Sequence, residues 1–222
     1  EIALMAAWLD ADLSSTNQPW KVVFFHKALY TRSNHDTGEE NEGRINSALI
    51  PVLDRHHVDV VFNGHSHSYE RFAPSRGVDV GFGGDGRRYP AGDRFQLDPL
   101  AALPDGDTGT TVIVTGGGGA STTTPRLSEA ACAAAGCVAC DSDHLACLDP
   151  TLASDLRGAM AFSKRHHYVV VDVEGSRLRA RAIATETGND SAGVIDDLVI
   201  DKPWFRCSSD VVGGVDDVVG EG

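Results

Sequence analysis

Basic residues are scarce in this chain. Lys and Arg number 19 against 32 Asp and Glu, a formal charge of −13. That deficit argues against a nucleic-acid-binding surface, which needs clustered cations opposite phosphates. An anionic ligand would have to be attracted by something other than the bulk of the side chains, and a bound metal is the obvious candidate. Long apolar runs are also absent: none approaches the roughly 18–20 residues that span a bilayer, so no membrane partner is expected. No Gly-Lys-Ser/Thr follows the four glycines at 116–119, which rules out a P-loop. The favoured reading there is a backbone that passes close to other atoms. No leader is visible, but the chain opens on Glu1 in what reads as mid-helix. An N-terminal portion is therefore expected to be missing, and the lack of a leader carries little weight. What is present, 222 residues with 41% apolar content, suffices for one sizeable core or a core plus a long insertion.

Cysteine is limited to five residues, and four of them, Cys132, Cys137, Cys140 and Cys147, run as C-x4-C-x2-C-x6-C. A zinc site would more usually show paired C-x2-C halves. Two disulfides pinning a surface loop in an exported protein are the favoured alternative. Cys207 is then unpaired, or its partner lies outside this chain.

Along the chain, Leu4, Trp8, Leu9 and Leu13 suggest an apolar stripe on a helix over 1–13, stopped by Ser14-Ser15-Thr16-Asn17-Gln18-Pro19. Trp20-Lys21-Val22-Val23-Phe24-Phe25 is a β-branched and aromatic run that ends in His26 and predicts a buried strand. Residues 31–43 are a polar loop containing His35. Ile45, Leu49, Val52 and Leu53 predict a helix over 44–57, with Pro51 kinking it or marking its start. Val58-Asp59-Val60-Val61-Phe62-Asn63 predicts a second buried strand, so strand, helix and strand form a βαβ-like unit whose ends share one edge.

Residues 73–109 are rich in Gly, Asp and Pro and read as a long surface excursion. Thr110-Thr111-Val112-Ile113-Val114-Thr115 is a further strand. Three closing strands are predicted near 167–173, 177–183 and 194–200, the first two joined by a tight turn at Glu174-Gly175-Ser176. His56-His57 and His166-His167 read as helix-end and strand-edge residues. The tail, 204–222, is an acidic stretch of Gly, Val and Asp that reads as a linker.

The chain is organised around Gly64-His65-Ser66-His67-Ser68-Tyr69-Glu70-Arg71. Two imidazoles at i and i+2 on a continuing strand would sit roughly 6–7 Å apart and could not easily share a pocket. Gly64 would let the chain turn there, so that both rings reach one site from a loop. Ligands of open α/β folds bind in this place, beyond the carboxyl ends of strands.

This block resembles the last motif of the purple acid phosphatases, Gly-His-x-His-x-Tyr-Glu-Arg, at all six fixed positions. They are a branch of the calcineurin-like metallophosphoesterases. The preceding motif, a strand ending in His with a Tyr soon after, is matched by His26 and Tyr30. The similarity extends over residues 1–203, with insertions near 77–109 and 120–155. It implies an α/β fold, a four-layered sandwich of mixed sheets flanked by helices, whose N-terminal half is missing here and would leave one face of the sheet uncovered.

The resemblance implies a phosphomonoesterase of acid phosphatase type with a binuclear metal centre, ferric iron paired with zinc, manganese or iron. A metal-bound hydroxide would be the nucleophile. His26 and His65 would bind one metal and His67 the other. His35 would act as the acid toward the leaving group, and His35 with Tyr69 would contact the substrate, a phosphate monoester. The family's upstream Asp, Tyr and Asn-His ligands have no counterpart in this chain, so the fragment by itself is expected to be inactive. Secretion follows from the resemblance and the cysteine usage. A phosphodiesterase or nucleotidase of the same superfamily and a non-catalytic domain of the same fold stay open as alternatives.

Overall fold

A computed structural model describes residues 1–29, 31, 42–74, 77–78, 96–97, 109–122, 159–185 and 193–202. His35, Tyr30, all five cysteines and the tail from 203 onward lie outside the described residues.

Helix α1 spans Ile2–Ser14. Its buried residues are Leu9 and Leu13, with Ile2 and Ala6 packed beside them. Positions 2, 6, 9 and 13 follow the helical period. Leu4 and Trp8 do not share that face: they are 76% and 66% exposed. A stripe drawn through every large apolar residue was too wide, because Trp8 stands a full 100° step from Leu9.

Strand β1 (Val22–Phe25) follows, then α2 (Glu42–Arg55) and β2 (Val60–Asn63). Helix α2 runs through Pro51 rather than starting there. A proline inside a helix costs about 3 kcal/mol, and here Ile45, Leu49, Val52 and Leu53 are all buried to offset it. Asp10 of α1 takes Arg55 at 2.6 Å and His56 at 2.8 Å, which clamps the two helices together. His56 and His57 thus fall just past the helix, as expected.

Next come β3 (Tyr69–Phe72), the short pair β4 (Gly77–Val78) and β5 (Gln96–Leu97), β6 (Thr111–Thr115) and β7 (Ala159–Ser163). The chain closes with β8 (His167–Glu174), β9 (Arg177–Ala184) and β10 (Gly193–Asp201). The first sheet has the order β1-β2-β6-β3-β7. β1, β2 and β6 are parallel, β3 runs antiparallel to them, and β7 runs antiparallel to β3. The second is the antiparallel β10-β9-β8, with Gly175 supplying a φ of 56° in the hairpin.

These elements form three layers among the described residues. Helices α1 and α2 bury Leu9, Leu49 and Leu53 against Val23, Val61, Val112 and Val114 on one face of the first sheet. The other face, through Val60, Phe62, Tyr69 and Ile113, packs on Leu178, Ala180, Ala182, Leu198 and Ile200 of the second sheet. The closing strands fold back over the middle of the five-stranded sheet, where a bare face was expected, while Phe24 on its edge strand β1 stays 71% exposed. The class is α/β with mixed sheets and flanking helices. No described helix is long and apolar enough to cross a membrane.

Candidate metal centre

Parallel pairing decides where the histidines meet. Phe25 and Asn63 end β1 and β2 in register, so the residues that follow leave the same edge side by side. Gly64 N–H donates to His26 O at 3.0 Å. Asn63, buried at the end of β2, accepts Leu29 N–H at 3.2 Å and donates to Phe25 O at 3.1 Å. That side chain staples the loop after β1 to β2. The sequence did carry a signal for it, a polar residue closing an apolar strand.

The sharp turn falls on His65 itself, with φ 65°, and not on Gly64. A non-glycine residue in the left-handed region costs about 1–2 kcal/mol and is concentrated at functional sites. The turn brings His65 Nδ1 to 3.2 Å from His26 Nε2. Two ligand nitrogens bound at ~2.1 Å with tetrahedral to octahedral angles stand roughly 3.0–3.4 Å apart. The two rings thus fit one metal ion between them. On the far side of the ring, His65 Nε2 lies 3.0 Å from Lys27 Nζ.

His67 is not drawn into this pair. Its Nδ1 donates to Ser121 O at 2.8 Å, which fixes the tautomer with the lone pair on Nε2. A backbone carbonyl on one ring nitrogen is the usual outer partner of a metal-binding histidine. Among the described residues, no group of three or more His, Cys, Asp or Glu converges to hold a metal. The described residues therefore supply one two-nitrogen site and a separate, suitably oriented imidazole.

Beneath the loop sits Glu70, 1% exposed. Its Oε1 accepts Thr31 Oγ1 at 2.8 Å, Ser68 Oγ at 2.9 Å and Ser66 Oγ at 3.1 Å. Ser66 and Ser68 also lie 2.8 Å apart. One carboxylate oxygen thereby gathers the segment after His26 and both serines that alternate with His65 and His67. The sequence pattern gave these serines no role.

Tyr69, only 1% exposed, donates its hydroxyl to Asp196 at 2.7 Å. Arg71 makes a two-pronged bond to the same carboxylate, at 2.5 and 3.0 Å. The cluster joins β3 to β10 across the two sheets. Burial and the Asp196 carboxylate push the phenol well above its ordinary value. Burial alone would raise Asp196, but the bonds from Arg71 and Tyr69 outweigh it and hold the carboxyl below the usual range.

The glycine run is a close approach, as expected. A Cβ on Gly116 would stand 2.0 Å from Ser66 O, and one on Gly117 would stand 2.6 Å from the His167 ring. Gly118 and Gly119 have open space. His167 is buried at the start of the edge strand β8. Its Nδ1–H donates to Arg165 O and its Nε2 accepts from Thr115 Oγ1. Burial holds its pKa down.

Residues 3–69 match the family model for calcineurin-like phosphoesterases. That stretch contains His26, His65 and His67. The chain is 46% identical over 70 residues to purple acid phosphatase 21 of Arabidopsis thaliana, covering 30% of this chain and 16% of that protein. It is 41% identical over 68 residues to purple acid phosphatase 22 of the same plant, covering 29% and 15%. The matched stretch thus spans about a sixth of the length of these curated relatives. Among solved structures, a purple acid phosphatase from yellow lupin seeds shares the fold with a TM-score of 0.56 at 18% identity, over 89% of this chain and 28% of that one. Over residues 3–69 the chain is thus similar to the calcineurin-like phosphoesterases, and over a stretch of about the same length to the purple acid phosphatases.

Proposed function

We propose that this chain is part of a metal-dependent phosphoric ester hydrolase, of the acid phosphatase type, that acts on phosphate monoesters at a two-metal centre. The observation that carries the proposal is the 3.2 Å separation of His26 Nε2 and His65 Nδ1 beyond the ends of adjacent parallel strands. His26 and His65 would hold one metal and His67, through Nε2, the other; ferric iron with zinc, manganese or ferrous iron is the proposed pair. Bound there, the ions would lower the pKa of a water toward 7 and offset charge on the phosphoryl oxygens.

The chain's own residues orient this site. Ser121 O fixes the ring of His67, Asn63 fixes the two loops to each other, and Glu70 holds the serines under both rings. His35 is proposed as the proton donor to the leaving group. Tyr69 spends its hydroxyl on Asp196, so a substrate contact there requires that bond to open. Export is proposed from the cysteine usage and the resemblance.

The test is metal content and nitrophenyl phosphate hydrolysis of the protein at its full natural length, beside a His65→Ala/His67→Ala variant. Two metals per chain in the parent, and loss of both metal and turnover in the variant, is the expected result. One metal or none, with no turnover in the parent, would overturn the proposal in favour of a non-catalytic domain. In the same assay, His35→Ala should slow alkyl phosphates more than nitrophenyl phosphate, whose leaving group needs no proton. Equal losses would remove His35 from that role.

A further inference from the structure

Most of the described cations are paired. Arg55, Arg71, Arg177, Arg179, Arg181 and Lys202 each hold an Asp carboxylate. Lys21 donates to His56 O, and Lys27 meets His65. Lys164 and Arg165 differ: among the described residues, neither side chain makes a hydrogen bond, an ion pair or a ring contact. Exposed cations without partners are ordinary on many surfaces. The position of these two, in a chain with 32 acidic residues against 19 basic ones, sets them apart.

They form the turn between β7 and β8. Ser163, the last residue of β7, pairs with Tyr69, and Tyr69 pairs with Thr115 at the end of β6. The turn therefore leaves the same sheet edge as the segments that follow β1, β2 and β6. The described residues of those segments and of the turn, 26–29, 64–68, 116–122 and 164–166, include four histidines, two lysines and one arginine, and no Asp or Glu. One edge of an acidic molecule is thus basic, and such a concentration of charge draws anions to it.

The backbone of the turn is fixed. Arg165 N–H donates to Ser163 Oγ at 3.2 Å, and Arg165 O accepts His167 Nδ1–H at 2.9 Å. His166 O accepts the amide and the hydroxyl of Thr185 at 2.8 and 3.2 Å. His166 Nε2 donates to Ala120 O at 3.0 Å, one peptide away from Ser121 O, the acceptor of His67. An anchored backbone with unengaged cationic heads is preorganised for an anion, because less order remains to be lost on binding. The planar fork of an arginine suits phosphate in particular. Since the 120–121 segment is bonded to both His67 and the turn, it separates them. An anion on the turn therefore lies beyond the phosphoryl group at the histidines.

We propose that the β7–β8 turn, through Lys164 and Arg165, is a subsite for a second phosphate, so that the favoured substrate is a phosphomonoester whose leaving group carries another phosphate. The inference rests on the phosphatase reading above.

The experiment uses the protein at its full natural length and compares kcat/KM for glucose 1,6-bisphosphate with that for glucose 6-phosphate. The parent should favour the bisphosphate about tenfold, the effect of one charge-assisted hydrogen bond. A Lys164→Gln/Arg165→Gln variant should bring the ratio close to one, chiefly by raising KM for the bisphosphate, as loss of uniform binding does. Lys164→Arg/Arg165→Lys, which keeps both cations, should retain the ratio within a few-fold. Equal losses on the two sugars, or a fall in kcat on both, would overturn the proposal and make the turn a support for the histidine loop. A parent that hydrolyses both sugars and nitrophenyl phosphate with a ratio near one overturns this inference alone. A parent that hydrolyses none of the three overturns the phosphatase reading and this inference with it.

Discussion

Two sets of carboxylates in this molecule have opposite characters. Glu70 lies under the histidine loop with its oxygen on three hydroxyls, shut away from solvent. On the outer face of the second sheet, Asp201, Asp197 and Asp172 take Arg177, Arg179 and Arg181 along β9, at 2.7, 2.5 and 2.9 Å. By distance alone the outer ladder has the stronger bonds. By environment it is the weaker, because water and salt compete for every exposed charge. A buried carboxylate has no such substitute, so its neighbours must stay where they are or leave it unsatisfied. Glu70 therefore dictates geometry, while the arginine ladder decorates a surface.

The widest break in that comparison should come from Glu70→Ala. Three hydroxyls would lose their shared acceptor in a closed space, Ser66 and Ser68 keeping their bond to each other, at a cost of about 2–3 kcal/mol by the usual penalty for a lost buried hydrogen-bond partner. The loop carrying His65 already holds a left-handed residue and would relax first. Amide exchange should quicken at 64–68 more than in β9, and the thermal midpoint should drop. Glu70→Gln, which keeps one acceptor oxygen, should recover most of the midpoint. A variant whose exchange rises evenly over the whole chain would mean that Glu70 is an ordinary core residue with no hold on the loop.

Asp196 lies between the two extremes, with side chains of the Arg71–Asp196 pair 14% and 11% exposed. Asp196→Asn should cost roughly 2 kcal/mol, below the range for a fully buried pair, because Arg71 keeps some access to water. The pH dependence gives this prediction its sign. Asp196 has a folded pKa below the ordinary 3.8, so its stabilisation is complete above that value and is lost as pH falls through the folded pKa. Between neutral pH and about 5 the parent should lead the variant by a constant margin. Below that the margin should shrink. A margin that grows in acid would show that the carboxyl is not held down by Arg71.

Legibility in the sequence followed the same division between local pattern and distant partner. The pairing of His26 with His65 could be anticipated, because two apolar runs each ended in histidine and parallel neighbours deliver their ends to one edge. The covering of the middle of the five-stranded sheet could not, since it depends on strands more than a hundred residues downstream folding back. Ser66 and Ser68 occupy the variable positions of the histidine motif, so motif reading passed over them. Their inward direction toward Glu70 became visible only with the turn at His65. Asp196 was out of reach for a similar reason: 125 residues separate it from Arg71, and periodicity carries no information over that distance. On α1 the error was one of chemistry, as Trp8 looked like core by its side chain and proved to be surface by its angle.

The smallest effect is expected at Arg179, and it tests the comparison from the exposed side. Arg179 and Asp197 meet at 2.5 Å, and each holds the other's charged form: Asp197 is drawn below and Arg179 above its ordinary value. Both are open to solvent, where such pairs contribute little because ordering two long side chains offsets the attraction. Arg179→Gln should leave the thermal midpoint within the error of the measurement at moderate salt. Its neighbours on β9 face the same way and keep hydrogen bonds of their own, Arg177 to Asp201 and Arg181 to Asp172, so the loss should not spread to Arg177 or Arg181. If the midpoint fell as far as for Asp196→Asn, the ladder would be a cooperative network. The outer face would then have to be counted, with Glu70, among the features that hold the two sheets in place.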